Sequence, residues 1–136
     1  MGNEPLVNWT SFQQARTELG ANFVRILGYF REDGVKSVSQ IEEAMRAGSA
    51  AALVLPAHTL KGESSQFGAD PLADLAELIE VTARDCIERH DTPEAALEHV
   101  VALRPLFEAT LALLEREANP LLARKPAAFG RRTFAG

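Results

Sequence analysis

The chain has 136 residues, 46% of them hydrophobic and 24% charged, which provides for one folded domain and argues against a disordered chain. No apolar run reaches the roughly 20 residues that span a bilayer, and the first residues lack a secretory signal. The single cysteine, Cys86, excludes an internal disulfide. We therefore expect a cytoplasmic protein without membrane contact. All 19 acidic residues but only ten of the 14 basic residues lie in residues 1–118, and this acidic body, of formal charge −9, argues against nucleic acid as the main partner.

The first two helices are predicted from caps and apolar spacing. Thr10 or Ser11 can cap a short first helix that ends near Gly20. Apolar residues then follow a helical spacing over residues 23–45, with Gly34 between two sets. This pattern predicts either one long helix kinked at the glycine or two helices in series.

The third helix is predicted from Ala50 to about Phe67. Gly48 suits a left-handed end of the preceding helix, and Ser49 suits the N-cap of the next one. Pro56 lies inside this helix, where it removes a backbone hydrogen bond and crowds the preceding turn. We therefore expect a kink at Pro56.

A capping residue followed by proline predicts two more helix starts, one at Asp70 and one at Thr92. The last helix is expected to stop before Asn119 and to be kinked at Pro105. Short connections between long amphipathic helices favour antiparallel neighbours.

The predicted architecture is therefore an all-α, up-down four-helix bundle with a short additional N-terminal helix. It occupies residues 1–118, and residues 119–136 are predicted to be a basic, flexible C-terminal tail that carries four Lys and Arg residues. Because such a bundle completes its own core, we expect a monomer.

The third predicted helix contains the residues that could take part in catalysis or binding. At about 100° per residue, one side of it forms a core face, made of Leu53, Ala57, Leu60, Ser64 and Phe67. A second side, about 130° away, holds His58, Lys61, Gly62 and Ser65. A lone histidine is ordinarily a core or surface residue, but this one points away from the core. Gly62 costs about 1 kcal/mol in mid-helix, and it leaves space for another molecule to reach the ring.

The same segment resembles the signature of the histidine-containing phosphotransfer (HPt) domain. The resemblance rests on His58-Thr59-Leu60-Lys61-Gly62 followed by Gly68, and on Leu72, Leu75 and Glu80, which match that family's leucines and closing acid in the next helix. With the bundle pattern, the resemblance extends over residues 8–118.

The resemblance implies that His58 accepts a phosphoryl group from a receiver-domain aspartate and passes it to another receiver. Lys61 would neutralise phosphoryl oxygens, which is worth about 1–3 kcal/mol for a charged hydrogen bond. Gly62 would allow the receiver to approach, and Gly68 would allow a tight turn. The implied partners are response-regulator receiver domains and a hybrid histidine kinase. No cofactor or metal is expected in this chain, because the receiver would supply the magnesium.

Four further residues have two interpretations each. Ser65 and Gln66 either bond the phosphoryl group or the receiver, or are ordinary solvated residues. Arg84 either faces the site from the next helix or is a surface charge. Glu63 departs from the family pattern, which has a small residue there. Its charge would either oppose the phosphoryl group or, projecting sideways, select the partner.

Two functions remain open at this point. The first is a phosphorelay intermediate without ATP-dependent kinase activity, because the chain has no phosphate-binding loop or ATP signature. The alternative is a non-catalytic helical adaptor or antagonist that binds receivers without carrying phosphate. His90 and His99 lack metal-ligand spacing, so neither indicates a metal site.

Overall fold

The computed structural model describes residues 5–119, and all regular structure in that range is helical. Its α-helices are α1 Trp9–Leu19, α2 Phe23–Arg46, α3 Ala50–Gln66, α4 Asp70–Glu88 and α5 Leu97–Ala118. Single 3-10 turns join α1 to α2 and precede α5. The predicted all-α class is confirmed. Apart from Asn119, the predicted basic tail lies outside the described residues.

The helix starts correct two predictions and confirm a third. Asn8, not Thr10 or Ser11, caps α1: its side-chain oxygen accepts a hydrogen bond from the Ser11 N–H at 3.2 Å, since asparagine is as good a cap as serine and lies earlier in the chain. The predicted cap Asp70 is instead the first helical residue of α4. Ser49 caps α3 as predicted, and its hydroxyl accepts from the Ala52 N–H at 3.1 Å.

α2, α3 and α5 are each continuous through the glycine or proline at which a kink was predicted, and the kinks themselves stay predictions. α2 is one continuous helix through Gly34, where a Cβ atom would overlap the Phe107 ring of α5. The glycine therefore allows α5 to pack closely. α3 and α5 continue through Pro56 and Pro105, so neither proline ends its helix. The Thr92 signal starts a 3-10 turn, and α5 begins only at Leu97.

The four long helices pack as a closed bundle, with each helix on its neighbours in sequence and α5 back on α2. Two ion pairs show that α2 and α5 are antiparallel. Arg31 binds Glu115 at 2.7 Å near one end, and Arg104 binds Glu42 at 2.8 Å near the other. Within residues 5–119, no helix is both long and apolar enough to cross a membrane.

A row of aromatic rings holds α1 on this bundle. Neighbouring ring centroids lie 5.4–5.9 Å apart, within the range of favourable aromatic pairs, along the series Phe12, Phe23, Phe67, Phe30 and Phe107. Phe12 of α1 is fully buried. The start of α1 also bonds the turn between α3 and α4, where the Asn8 N–H donates to the Gly68 carbonyl at 2.7 Å.

We expect Gly68→Ala to destabilise the fold more than the matched variant Gly48→Ala. Both glycines have positive φ, +76° and +69°, which costs an L-residue about 1–2 kcal/mol. Only at Gly68 would the new Cβ also crowd α1, at 2.6 Å from the Asn8 carbonyl oxygen, and relieving such overpacking costs about 1–3 kcal/mol more. Urea unfolding measures both variants. Equal losses of unfolding free energy in the two variants would show that α1 shifts at this contact without measurable cost.

Candidate functional site

The predicted two-sided character of α3 is present in the structure. The residues of the predicted core face are all fully buried, namely Leu53, Ala57, Leu60, Ser64 and Phe67. On the other side, His58 is exposed over 58% of its side chain, and a Cβ atom at Gly62 would meet nothing within 4 Å. Because the next turn of the helix adds no side chain beside it, the imidazole is open to a partner from that direction.

One buried carboxylate on α4 joins the polar residues of the site. Glu80 is only 5% exposed, and its oxygens lie 3.1 and 3.2 Å from Nδ1 of His58. Nζ of Lys61 lies 3.2 Å from Oε1 of Glu80. The Arg84 guanidinium donates to Oε2 through two nitrogens, at 2.9 and 3.1 Å. The carboxylate therefore positions the histidine and both cations of the site.

The charge of Glu80 fixes the tautomer of His58. Burial by itself raises the pKa of Glu80, but the hydrogen bonds from Arg84, Lys61 and His58 outweigh it and hold that pKa below its ordinary value. An ionised carboxylate accepts hydrogen bonds and donates none. The proton of the neutral His58 ring therefore lies on Nδ1, and the lone pair on Nε2 faces away from Glu80.

The structure brings together some of the predicted site residues and separates others. Arg84 is part of the Glu80 cluster. Ser65 and Gln66 are exposed, but they lie beyond Gly62 and line a cleft against α1. Sequence reasoning gave Glu80 no role in the site. The available signal was its match to the family's closing acid, together with an arginine four residues on.

Glu63 is turned toward α2, where it meets Asp33. Its Oε1 atom is buried and has no hydrogen-bond partner within residues 5–119. Burial, a hydrogen bond with Asp33 and the negative charge of Asp33 raise the pKa of Glu63 to about 7. The departure from the family pattern therefore creates a carboxyl pair between two helices, beside the exposed Gly62.

This pair predicts a pH-dependent contribution to stability. Since the pKa of Glu63 rises from 4.5 unfolded to about 7 folded, its stabilisation is complete below pH 4.5 and is lost as the pH rises through about 7. Relative to the wild type, Glu63→Gln should gain about 1–2 kcal/mol in unfolding free energy between about pH 5 and pH 8, after allowance for water at this half-buried group. Urea unfolding at several pH values measures this gain. Asp33→Asn should remove only the part of this pH dependence that comes from Asp33, because burial, the largest cause of the raised pKa, remains. A constant difference between Glu63→Gln and wild type would contradict the assignment.

Comparison with known proteins identifies the family of the chain and a structure with a similar fold. The sequence matches the Hpt domain family over residues 25–118. The fold is similar to the crystal structure of histidine-containing phosphotransfer protein B (HptB) from Pseudomonas aeruginosa PAO1, with a TM-score of 0.73 over 85% of this chain and 96% of that chain, at 24% sequence identity. Curated protein sequences give no match. The family match covers most of the bundle, including His58 and Glu80, and the chain therefore belongs to the Hpt domain family, the histidine phosphotransfer domains of phosphorelay signalling.

Proposed function

We propose that this chain is a phosphorelay intermediate in which Nε2 of His58 accepts a phosphoryl group from the aspartate of one receiver domain and passes it to another. The observation that carries the proposal is the exposed imidazole whose Nδ1 is held by the ionised Glu80. A ring fixed in this tautomer presents its nucleophilic nitrogen outward. Gly62 leaves that approach open.

Phosphoryl transfer to His58 requires no proton to leave the site. The Nε2 lone pair forms the bond to phosphorus, and the bond from phosphorus to the aspartyl oxygen breaks, with its electron pair returning to the receiver's carboxylate. The imidazole becomes a phosphorylated cation that keeps its Nδ1 proton, and the Glu80 carboxylate faces that positive charge. In the reverse direction, the same proton makes the departing ring a neutral imidazole, which is a good leaving group.

Lys61 and Arg84 supply positive charge beside the reacting group. Both are bound to Glu80, and both side chains reach solvent, with 30% and 58% exposed. A loose phosphoryl-transfer transition state is stabilised mainly by position and charge. The two cations can therefore contact phosphoryl oxygens while Glu80 limits where they move.

We expect Lys61→Ala to slow phosphoryl transfer about five- to tenfold, which corresponds to about 1 kcal/mol. The effect falls at the lower end of the range for a charged hydrogen bond because Lys61 is partly solvated and Arg84 remains. Rapid-quench measurement of transfer from a phosphorylated receiver gives the rate. Lys36→Ala, which removes an exposed lysine of α2, serves as the control, and equal rates for both variants would remove Lys61 from the site.

The proposed partners follow from the surface around His58. Leu55 lies one turn before the histidine and is 71% exposed, so an apolar contact is available to a receiver domain next to the reactive ring. We propose a hybrid histidine kinase as the source of the relay, and magnesium on the receiver rather than on this chain. Because the described helices complete their own core, we expect the protein to act as a monomer. Its one cysteine is free, in keeping with the reducing cytoplasm that we propose as its compartment.

The test is transfer of label from radiolabelled, phosphorylated receiver domains to the purified wild-type chain. Acid-labile and alkali-stable label on the chain, located on His58 by mass spectrometry, would support the relay. Binding of receivers without any label transfer would instead support the adaptor function. Label on His90 or His99 would contradict the assigned site.

A further inference from the structure

A polar cleft lies between α1 and the C-terminal end of α3. It has a volume of about 230 Å³, which is room for a long side chain but not for a helix. Its polar lining comes from Ser11, Gln14, Glu18, Ser65 and Gln66. Glu18 is the one charged side chain among the described residues of this lining, and within residues 5–119 it has no ion pair or side-chain hydrogen bond.

The cleft lies along the same exposed side of α3 as the phosphorylation site. Ser65 follows His58 by seven residues, which places it on nearly the same face and about 10 Å further along the axis. A typical protein interface covers about 800 Å² of each partner, equivalent to a disc with a radius of roughly 16 Å. A receiver domain centred on His58 would therefore extend over the cleft.

The α1 side of the cleft is held rigidly. Phe12 is fully buried and packs edge-on against Phe23 with ring centroids 5.4 Å apart. Arg16, on the same helix, donates to the Glu117 carbonyl at 3.1 Å. A preorganised surface loses little conformational freedom when a partner binds. α1 also lies before residues 25–118, which match the Hpt family, so its exposed side chains are free to differ without disturbing the family's bundle.

We propose that α1 determines which receiver domains bind, and that the cleft takes a lysine or arginine side chain of the receiver, paired with Glu18. This inference rests on the proposed receiver docking at His58. The unpaired carboxylate supplies the complementary charge, while Gln14, Gln66 and Ser65 supply hydrogen-bond acceptors for the remaining donors of an ammonium or guanidinium group. The cleft contributes to binding and takes no part in the phosphoryl chemistry.

The experiment compares Glu18→Lys with Glu108→Lys, an equal charge change on α5, across a panel of receiver domains. We expect Glu18→Lys to weaken binding of receivers that phosphorylate the wild type by about tenfold or more, while transfer at saturating receiver stays within about threefold of wild type because the His58 cluster is intact. Glu108→Lys should bind like wild type. Changing the contacting receiver lysine or arginine to glutamate should restore binding to Glu18→Lys.

The outcomes separate this inference from the proposed function. Wild-type transfer from receivers, combined with unchanged binding of Glu18→Lys, would overturn the role of the cleft and leave the relay standing. A wild-type chain that neither binds receivers nor takes their label would overturn both. A loss of transfer at saturating receiver, with binding unchanged, would show that Glu18 acts on the chemistry and would also overturn the proposal.

Discussion

His58→Gln is expected to abolish phosphoryl transfer, with no label above background on the variant. Glutamine has no nucleophilic nitrogen, so the bond to phosphorus does not form. The folded state should persist because the His58 side chain is 58% exposed, and exposed substitutions usually change stability by less than about 0.5 kcal/mol beyond the loss of specific bonds. Rapid-quench transfer assays and circular dichroism, run side by side, measure activity and folding separately.

The matched control for this variant is His90→Gln, because His90 is an exposed histidine outside the Glu80 cluster. It should accept label at the wild-type rate. Receiver binding by His58→Gln, measured by titration calorimetry, should remain. Residual acid-labile label on the folded His58→Gln protein would show that another histidine carries the phosphoryl group.

Glu80→Gln is expected to slow transfer about 30-fold, corresponding to roughly 2 kcal/mol. Glutamine keeps the shape of the side chain but removes the negative charge to which His58, Lys61 and Arg84 are bound. The His58 ring would then lose its preference for the Nδ1–H tautomer, and the positive charge of the phosphorylated ring would lose its facing carboxylate. Rapid-quench kinetics give the rate, and ¹⁵N NMR of the imidazole gives the tautomer.

Glu77→Gln, which changes an exposed glutamate on the same helix, is the control and should leave both measurements unchanged. If Glu80 acts only by supporting the fold, then the rate loss would follow the loss of unfolding free energy and the tautomer would stay as in wild type. A folded Glu80→Gln protein with wild-type rate and tautomer would contradict the role of this carboxylate.

Local sequence signals determined the helices and the faces of α3. Helix caps and apolar spacing act over one or two turns, so the buried side of α3 and the outward direction of His58 could be predicted from the sequence. The cap of α1 was wrongly placed because several good capping residues occur within four positions, and the sequence does not rank Asn8 above Ser11. The family motif added the expectation that His58 is the phosphoacceptor, which periodicity could not provide.

Tertiary structure decided which residues of different helices meet. Glu80 approaches His58 only because α3 and α4 pack at a particular register and rotation, and the spacing of residues along one helix contains no such information. The same holds for Glu63 and Asp33, which form their carboxyl pair across α3 and α2. The sequence by itself determined the bundle, its helix faces and the outward direction of His58. Packing determined the tautomer of His58, the raised pKa of Glu63 and the cleft between α1 and α3, because each depends on contacts between helices.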